Sequence, residues 1–136
     1  MKNHLLSNWI NIIGTVAGFY SIILFMALQQ LFTGERGFTF ETVVFETIGG
    51  SFVYTYGMLV QRLTYFMVYI VSHFIIDYIL LQLLKGKENL TKRMNIEVII
   101  FGGLFVGYAI KEDAFNLLIL PFVFVISQWF RKKKLA

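Results

Sequence analysis

A histidine and an aspartate stand four positions apart, as His73 and Asp77, inside the apolar stretch VSHFIIDYILL. At about 100° per residue they share one stripe of a helix with Tyr69, and Arg62 lies at the edge of that stripe. In an apolar medium such a pair has three uses. It can satisfy two buried groups through a charge-assisted hydrogen bond, pass a proton or an ion with Tyr69 and Glu46 as relays, or hold a metal or catalyse a reaction.

The third use needs a further ligand or a nucleophile close to the pair. The other histidine, His4, is placed by the sequence near the opposite end of a helix, and the chain has no cysteine. The chain also lacks a glycine-rich phosphate loop and the motifs H-E-x-x-H, G-x-S-x-G and C-x-x-C. We therefore predict no enzyme activity, no metal and no cofactor.

The composition indicates the medium in which these groups lie. Of the 136 residues, 57% are hydrophobic and 15% are charged, and the mean hydropathy is +0.70. That is more apolar surface than a water-soluble core of this size can cover. Several runs approach the roughly 20 residues with which a helix crosses about 30 Å of hydrocarbon. They are continuously apolar, which favours helices over a barrel. The predicted fold is all-α, a polytopic transmembrane helical bundle.

We predict five spans within a single transmembrane domain of residues 1–136. These spans are residues 9–32, 42–60, 63–84, 96–110 and 114–130. The second carries Glu46 and three glycines, so the alternative is four spans with a re-entrant or interfacial second segment. The third has its midpoint near His73, which would put the pair at the bilayer centre. An ionised aspartate there costs on the order of 2.5 to 3.5 kcal/mol, so we expect the stripe to face protein or water.

Basic residues predict the orientation of the chain. They are Lys85, Lys87, Lys92 and Arg93 in one loop and Arg131, Lys132, Lys133 and Lys134 in the tail. Because two predicted helices separate the two groups, both lie on one side, which the positive-inside rule makes the cytoplasm. Cytoplasmic Lys and Arg number nine against three under either topology, with Arg36 counted inside for five spans and Lys2 for four. The count therefore does not distinguish them.

The same features predict the location of the protein. It is expected to be a multi-pass protein of a cell membrane, a bacterial plasma membrane, with a cytoplasmic carboxyl terminus. The basic tail can also attract anionic lipid headgroups. Trp9 and Trp129 stand at predicted membrane edges, where indole rings are common.

Small residues predict where helices approach one another. Gly14, Gly18 and Ser21 form a stripe on the first span, and Gly103 and Gly107 form one on the fourth. Either stripe can pack within the chain or join two copies as a homo-oligomer. Glu97 is predicted to open the fourth span, where a carboxylate favours the helix dipole.

Three functions are compatible with these observations. The first is a non-enzymatic subunit, accessory or protective factor, whose partners are the lipid bilayer and other membrane helices, not nucleic acid. The second is an oligomeric proton- or ion-coupled transporter or channel that uses the His/Asp pair. The third is a holin-like permeabilising protein.

Overall fold

The computed structural model describes residues 2–34 and 39–136, so Arg36 lies outside the described residues, as does the side chain of Lys2. The helices are α1 (Lys2–Leu6), α2 (Asn8–Thr33), a π-helical segment (Glu41–Gly49) continuing into α3 (Gly50–Gln61), α4 (Leu63–Leu83), α5 (Leu90–Lys111) and α6 (Ile119–Leu135). Short 3₁₀ turns at Lys87–Asn89 and Phe115–Leu118 precede α5 and α6. The described ranges contain no strand, which confirms the all-α prediction.

Four helical stretches are long and apolar enough to cross a membrane. They are Asn3–Thr33, Glu41–Gln61, Leu63–Leu83 and Lys87–Lys111. The predicted fifth span is different, because residues 115–118 form a 3₁₀ turn and the 17-residue α6 follows with a basic last turn. The lengths and hydropathy of the four stretches agree with a membrane protein.

The predicted start of the fourth span was wrong by six residues. We predicted a helix from residue 96, whereas α5 begins at Leu90. The reason is Arg93, which the sequence placed in a loop. From within α5 its guanidinium donates to the carbonyl oxygens of Leu84 (2.5 Å) and Gly86 (2.9 Å), just past the end of α4. A cation that satisfies the last carbonyls of one helix can itself belong to the next.

Helices α2, α4, α5 and α6 form a four-helix bundle. Helix α4 runs antiparallel to α2, because Asn8 contacts Asp77 and Thr15 contacts Tyr69. The partner on the other side of α2 is α6, which is also antiparallel to it. There, Ser7 contacts Arg131, and Gly18 lies against the Leu120 side chain.

Helix α5 closes the ring between α4 and α6. Against α4, the His73 ring stacks on Phe101 and Arg62 bonds to Tyr108. Against α6, Glu97 pairs with Arg131. These contacts bring α1, residues 84–89 and the carboxyl end of α6 to the same end of the bundle. We call it the basic end, after Lys85, Lys87, Lys132, Lys133 and Lys134.

The segment Glu41–Gln61 packs outside this ring, on α2. Tyr20 donates to the Ile48 carbonyl oxygen (3.2 Å), and its ring lies 6.4 Å from that of Phe52. The segment follows Thr33 at the carboxyl end of α2 and leads into Arg62 beside Tyr108. The chain therefore leaves α2 and enters α4 toward the same end of the bundle, opposite the basic end.

The interior of the bundle is unusually polar. Among the described residues, fifteen polar or charged side chains are buried but only nine apolar ones, while large apolar side chains are exposed along the helices. In a water-soluble protein, the buried side chains are mostly apolar. Helices that face lipid expose apolar side chains, and their polar side chains must find partners within the bundle.

Candidate buried polar network

Asp77 lies in a network of side chains near the basic end. The network comprises His4, Ser7, Asn8, Asn11, Tyr69, His73, Asp77, Glu97, Gln128 and Arg131. Asp77 is completely buried, and three side chains surround its carboxylate. Arg131 Nη2 lies 2.6 Å and His4 Nε2 lies 3.0 Å from Oδ1, and Asn8 Nδ2 donates to Oδ2 at 2.9 Å. Arg131 Nη2 and Asp77 Oδ1 form an ion pair, but their geometry is not that of a hydrogen bond.

Arg131 joins the two carboxyl groups of the network. Its Nη1 donates to Glu97 Oε2 at 2.5 Å and its Nε donates to Ser7 Oγ at 2.7 Å. The planar guanidinium suits this geometry because it presents several fixed donors. We predicted that Arg131 would belong to a headgroup-binding or topology-setting tail. The structure instead places it fully buried, whereas Lys133 and Lys134 are exposed and Lys132 is half-buried.

Glu97 lies on α5, opposite Arg131. Its Oε2 also accepts a hydrogen bond from Gln128 Nε2 at 2.7 Å, whereas the buried Oε1 has no donor. We predicted a dipole-stabilising position at a helix start. That prediction was wrong because α5 begins two turns earlier.

His73 is held between two asparagines. Both N–H bonds of the Asn8 amide are used, on Asp77 and on the Leu5 carbonyl oxygen (2.8 Å), so its Oδ1 faces His73 and accepts from Nδ1 at 2.6 Å. Asn11 Nδ2 donates to His73 Nε2 at 3.1 Å. An imidazole that donates from Nδ1 and accepts at Nε2 is neutral. Asn8 thus bridges the His73 and Asp77 that the sequence paired directly.

Tyr69 extends the stripe as predicted, one turn deeper than His73. Its hydroxyl lies 2.9 Å from Thr15 Oγ1, and its ring meets Phe101 edge-on at 5.8 Å. The His73 ring stacks on the other side of this contact, 4.7 Å from Phe101. Aromatic packing therefore fixes the orientation of both polar rings.

Glu46 and Arg62 lie outside the network. Both are exposed and line one open cavity of about 680 Å³ between α2, the Glu41–Gln61 segment, the end of α5 and the 3₁₀ turn at Phe115–Leu118. Beside it, Arg62 donates to the Tyr108 hydroxyl (2.6 Å). The prediction that Glu46 relays protons to His73 therefore has no support in this arrangement. We also predicted that Arg62 would share the polar site of His73 and Asp77, but it immediately precedes α4 and bonds to Tyr108 instead.

The two glycine stripes have different surroundings. Gly14 lies against the Ser127 side chain, and a Cβ at Gly18 would lie 3.1 Å from Leu120 Cδ2, so this stripe packs on α6 within the chain. Ser21 is not part of that contact, since it is exposed and bonds to the Ala17 carbonyl oxygen. Gly103 and Gly107 have open space where a Cβ would be.

Sequence reasoning missed most partners of the pair. They come from α1 and the first half of α2 and from the end of α6. A signal for the first group exists, because His4, Asn8, Asn11 and Thr15 recur at helical spacing along an otherwise apolar segment.

The network also limits the chemistry. Within residues 2–34 and 39–136, no three histidine or acidic side chains are grouped so as to hold a metal ion. No protein-family model, curated protein or solved structure matches the chain. Function must therefore be argued from the bundle and from its buried network.

Proposed function

We propose that the chain is a small integral membrane protein that acts without catalysis, as a subunit, accessory or protective factor of a membrane assembly. The observation that supports this proposal is the reversed distribution of polarity, with fifteen polar and nine apolar buried side chains among the described residues. The polar groups are engaged with one another, and the outer surface of the helices is apolar. Such a surface suits contacts with lipid and with other membrane helices.

The packing favours four crossings, made by α2, α4, α5 and α6 with its preceding 3₁₀ turn. The segment Glu41–Gln61 would then re-enter or lie in the interface, because α2 and α4 are antiparallel and the chain leaves one and enters the other at the same end of the bundle. Among the described residues, nine Lys and Arg residues belong to the basic end and two, Arg62 and Lys111, to the opposite end, so the basic end would face the cytoplasm. The exposed Trp9 and Trp129 both lie near the basic end and would mark one interface.

Single cysteines test this topology, because the chain has none of its own. We would place one at Thr39, Gln61, Lys85 or Lys134 and label intact cells with a membrane-impermeant maleimide. Four crossings predict that Thr39→Cys and Gln61→Cys react, whereas Lys85→Cys and Lys134→Cys react only after permeabilisation. Opposite accessibility at residues 39 and 61 would instead establish five spans.

Site-specific photo-crosslinking tests the accessory role. A crosslinkable residue would replace exposed apolar residues on each outer helix face, for example Val106 on α5 and Phe122 on α6. A subunit should give a protein adduct of constant mass from one face, while the other faces crosslink only to lipid. Lipid adducts from every face in native membranes would refute the proposal.

A second candidate, proton-coupled transport by an oligomer, is favoured by one observation. The network contains two carboxyl groups, on Asp77 and Glu97, but only one permanent cation, on Arg131. Reconstituted vesicles with a pH gradient would test it. Transport predicts proton flux that Asp77→Asn abolishes and Glu88→Gln, a change in the exposed loop, preserves. Absence of flux in the unmodified protein would remove this candidate.

A further inference from the structure

If both carboxyl groups of the network were ionised, their two negative charges would exceed the single positive charge of its arginine. Arg131 stays protonated at any accessible pH, whereas Asp77 and Glu97 each carry a carboxyl group, and all three side chains are 0% exposed. A net negative charge in a low-dielectric interior is costly. The network therefore needs one further proton, on a carboxyl group or on an imidazole.

The hydrogen bonds indicate which group holds it. Asp77 is surrounded by Arg131, His4 and Asn8, all of which favour its ionised form. Glu97 receives both of its donors on Oε2, and Oε1 has none. Of the four oxygens of these two carboxyl groups, Glu97 Oε1 is the one that receives no donor from the described residues, so a proton there meets no opposing N–H bond.

The hydrogen bonds of His73 exclude it as the group that carries the additional proton. Its Nδ1 proton is directed at Asn8, and its Nε2 faces the N–H of Asn11, so a second ring proton would point at a donor. His4 is also buried, and its Nε2 faces the ionised carboxylate of Asp77, so it donates a hydrogen bond to that carboxylate.

We propose that Glu97 is a buried proton-binding site, neutral at neutral pH, whose proton lies on Oε1, the carboxyl oxygen that no donor reaches. The charged or titratable groups facing Glu97 are Arg131 from α6 and Asp77 and Tyr69 from α4. The site goes beyond the accessory function and does not depend on it.

Infrared spectroscopy of the purified protein in lipid nanodiscs tests this assignment. We expect the C=O stretch of a protonated carboxylic acid at neutral pH, and its loss in Glu97→Gln, which keeps the shape of the side chain. Glu88→Gln, in the exposed 3₁₀ turn, is the matched control and should retain the band. A spectrum without the band, or a band that persists in Glu97→Gln, would overturn the proposal.

Isotope labelling keeps the test valid if Glu97→Gln does not fold. In the unmodified chain, ¹³C at glutamate carboxyl groups should move the band to lower frequency, and ¹³C at aspartate carboxyl groups should leave it in place. The reverse result would put the proton on Asp77 and overturn the assignment.

Discussion

Among single residues, Arg131 connects the most elements, because its guanidinium reaches α4, α5 and the junction of α1 and α2. Replacing it with methionine leaves two buried carboxyl groups without their cation. We expect Arg131→Met to lower the free energy of unfolding by about 3 to 5 kcal/mol. Denaturant titration in detergent measures this, with Lys134→Met as the exposed control. Equal stability of the two variants would contradict the network.

The hydrogen bonds of Asn8 determine which ring nitrogen of His73 carries the proton. Because the Asn8 amide uses both N–H bonds elsewhere, the ring must donate from Nδ1. Nitrogen NMR of ¹⁵N-histidine-labelled protein at neutral pH should show one neutral ring protonated at Nδ1, and His73→Gln should remove that signal. A ring protonated at Nε2 would mean that the Asn8 amide is turned around.

The sequence predicted one helix face of this site and not the others. Tyr69, His73 and Asp77 could be grouped because helical periodicity relates residues on the same helix. Glu97 and Arg131 are 34 positions apart and meet only through the packing of α5 on α6. Arg131 was assigned to the solvated tail because a run of four cations gives no sign that its first member turns inward.

At the scale of elements, the two glycine faces predict opposite responses. In Gly14→Ala the new methyl group would overlap the Ser127 side chain and force α2 away from α6, which should cost about 1 to 3 kcal/mol. Gly107→Ala meets open space and improves helix propensity, so it should stabilise by about 0.5 to 1 kcal/mol. Thermal unfolding of the two variants compares them directly. A destabilised Gly107→Ala would mean that α5 packs against another chain in the sample.

The boundaries of the elements were predictable where apolar runs ended at polar residues, as for α4, predicted as residues 63–84 and observed as Leu63–Leu83. They were not predictable where a helix carries charges into its first turns, as α5 does with Arg93. The position of Glu41–Gln61 also required the structure. Length and hydropathy make it a candidate span, but the antiparallel packing of α2 and α4 could be known only from contacts between residues distant in sequence.

For the whole molecule, the unequal distribution of Lys and Arg between the two sides predicts which substitutions would disturb the orientation of the chain in the membrane. Changing Lys132, Lys133 and Lys134 to glutamine should preserve the orientation, because four crossings then leave, by sequence, six Lys and Arg residues on the side of the basic end against three on the other side. Adding the same change at Lys85, Lys87 and Lys92 leaves three on each side, and mixed orientations are expected. Labelling of a single cysteine at residue 61 measures the fraction inverted. A fully oriented six-fold variant would show that charge does not orient the chain.

The bond between Ser7 and Arg131 spans 124 positions of sequence and has a consequence for biosynthesis. Asp77 is synthesised well before Arg131, so its carboxyl group exists before its counter-charge has been made. Until α6 is added, the nascent chain must keep this group protonated, hydrated or shielded by other groups. Closure of the network therefore waits for the synthesis of α6.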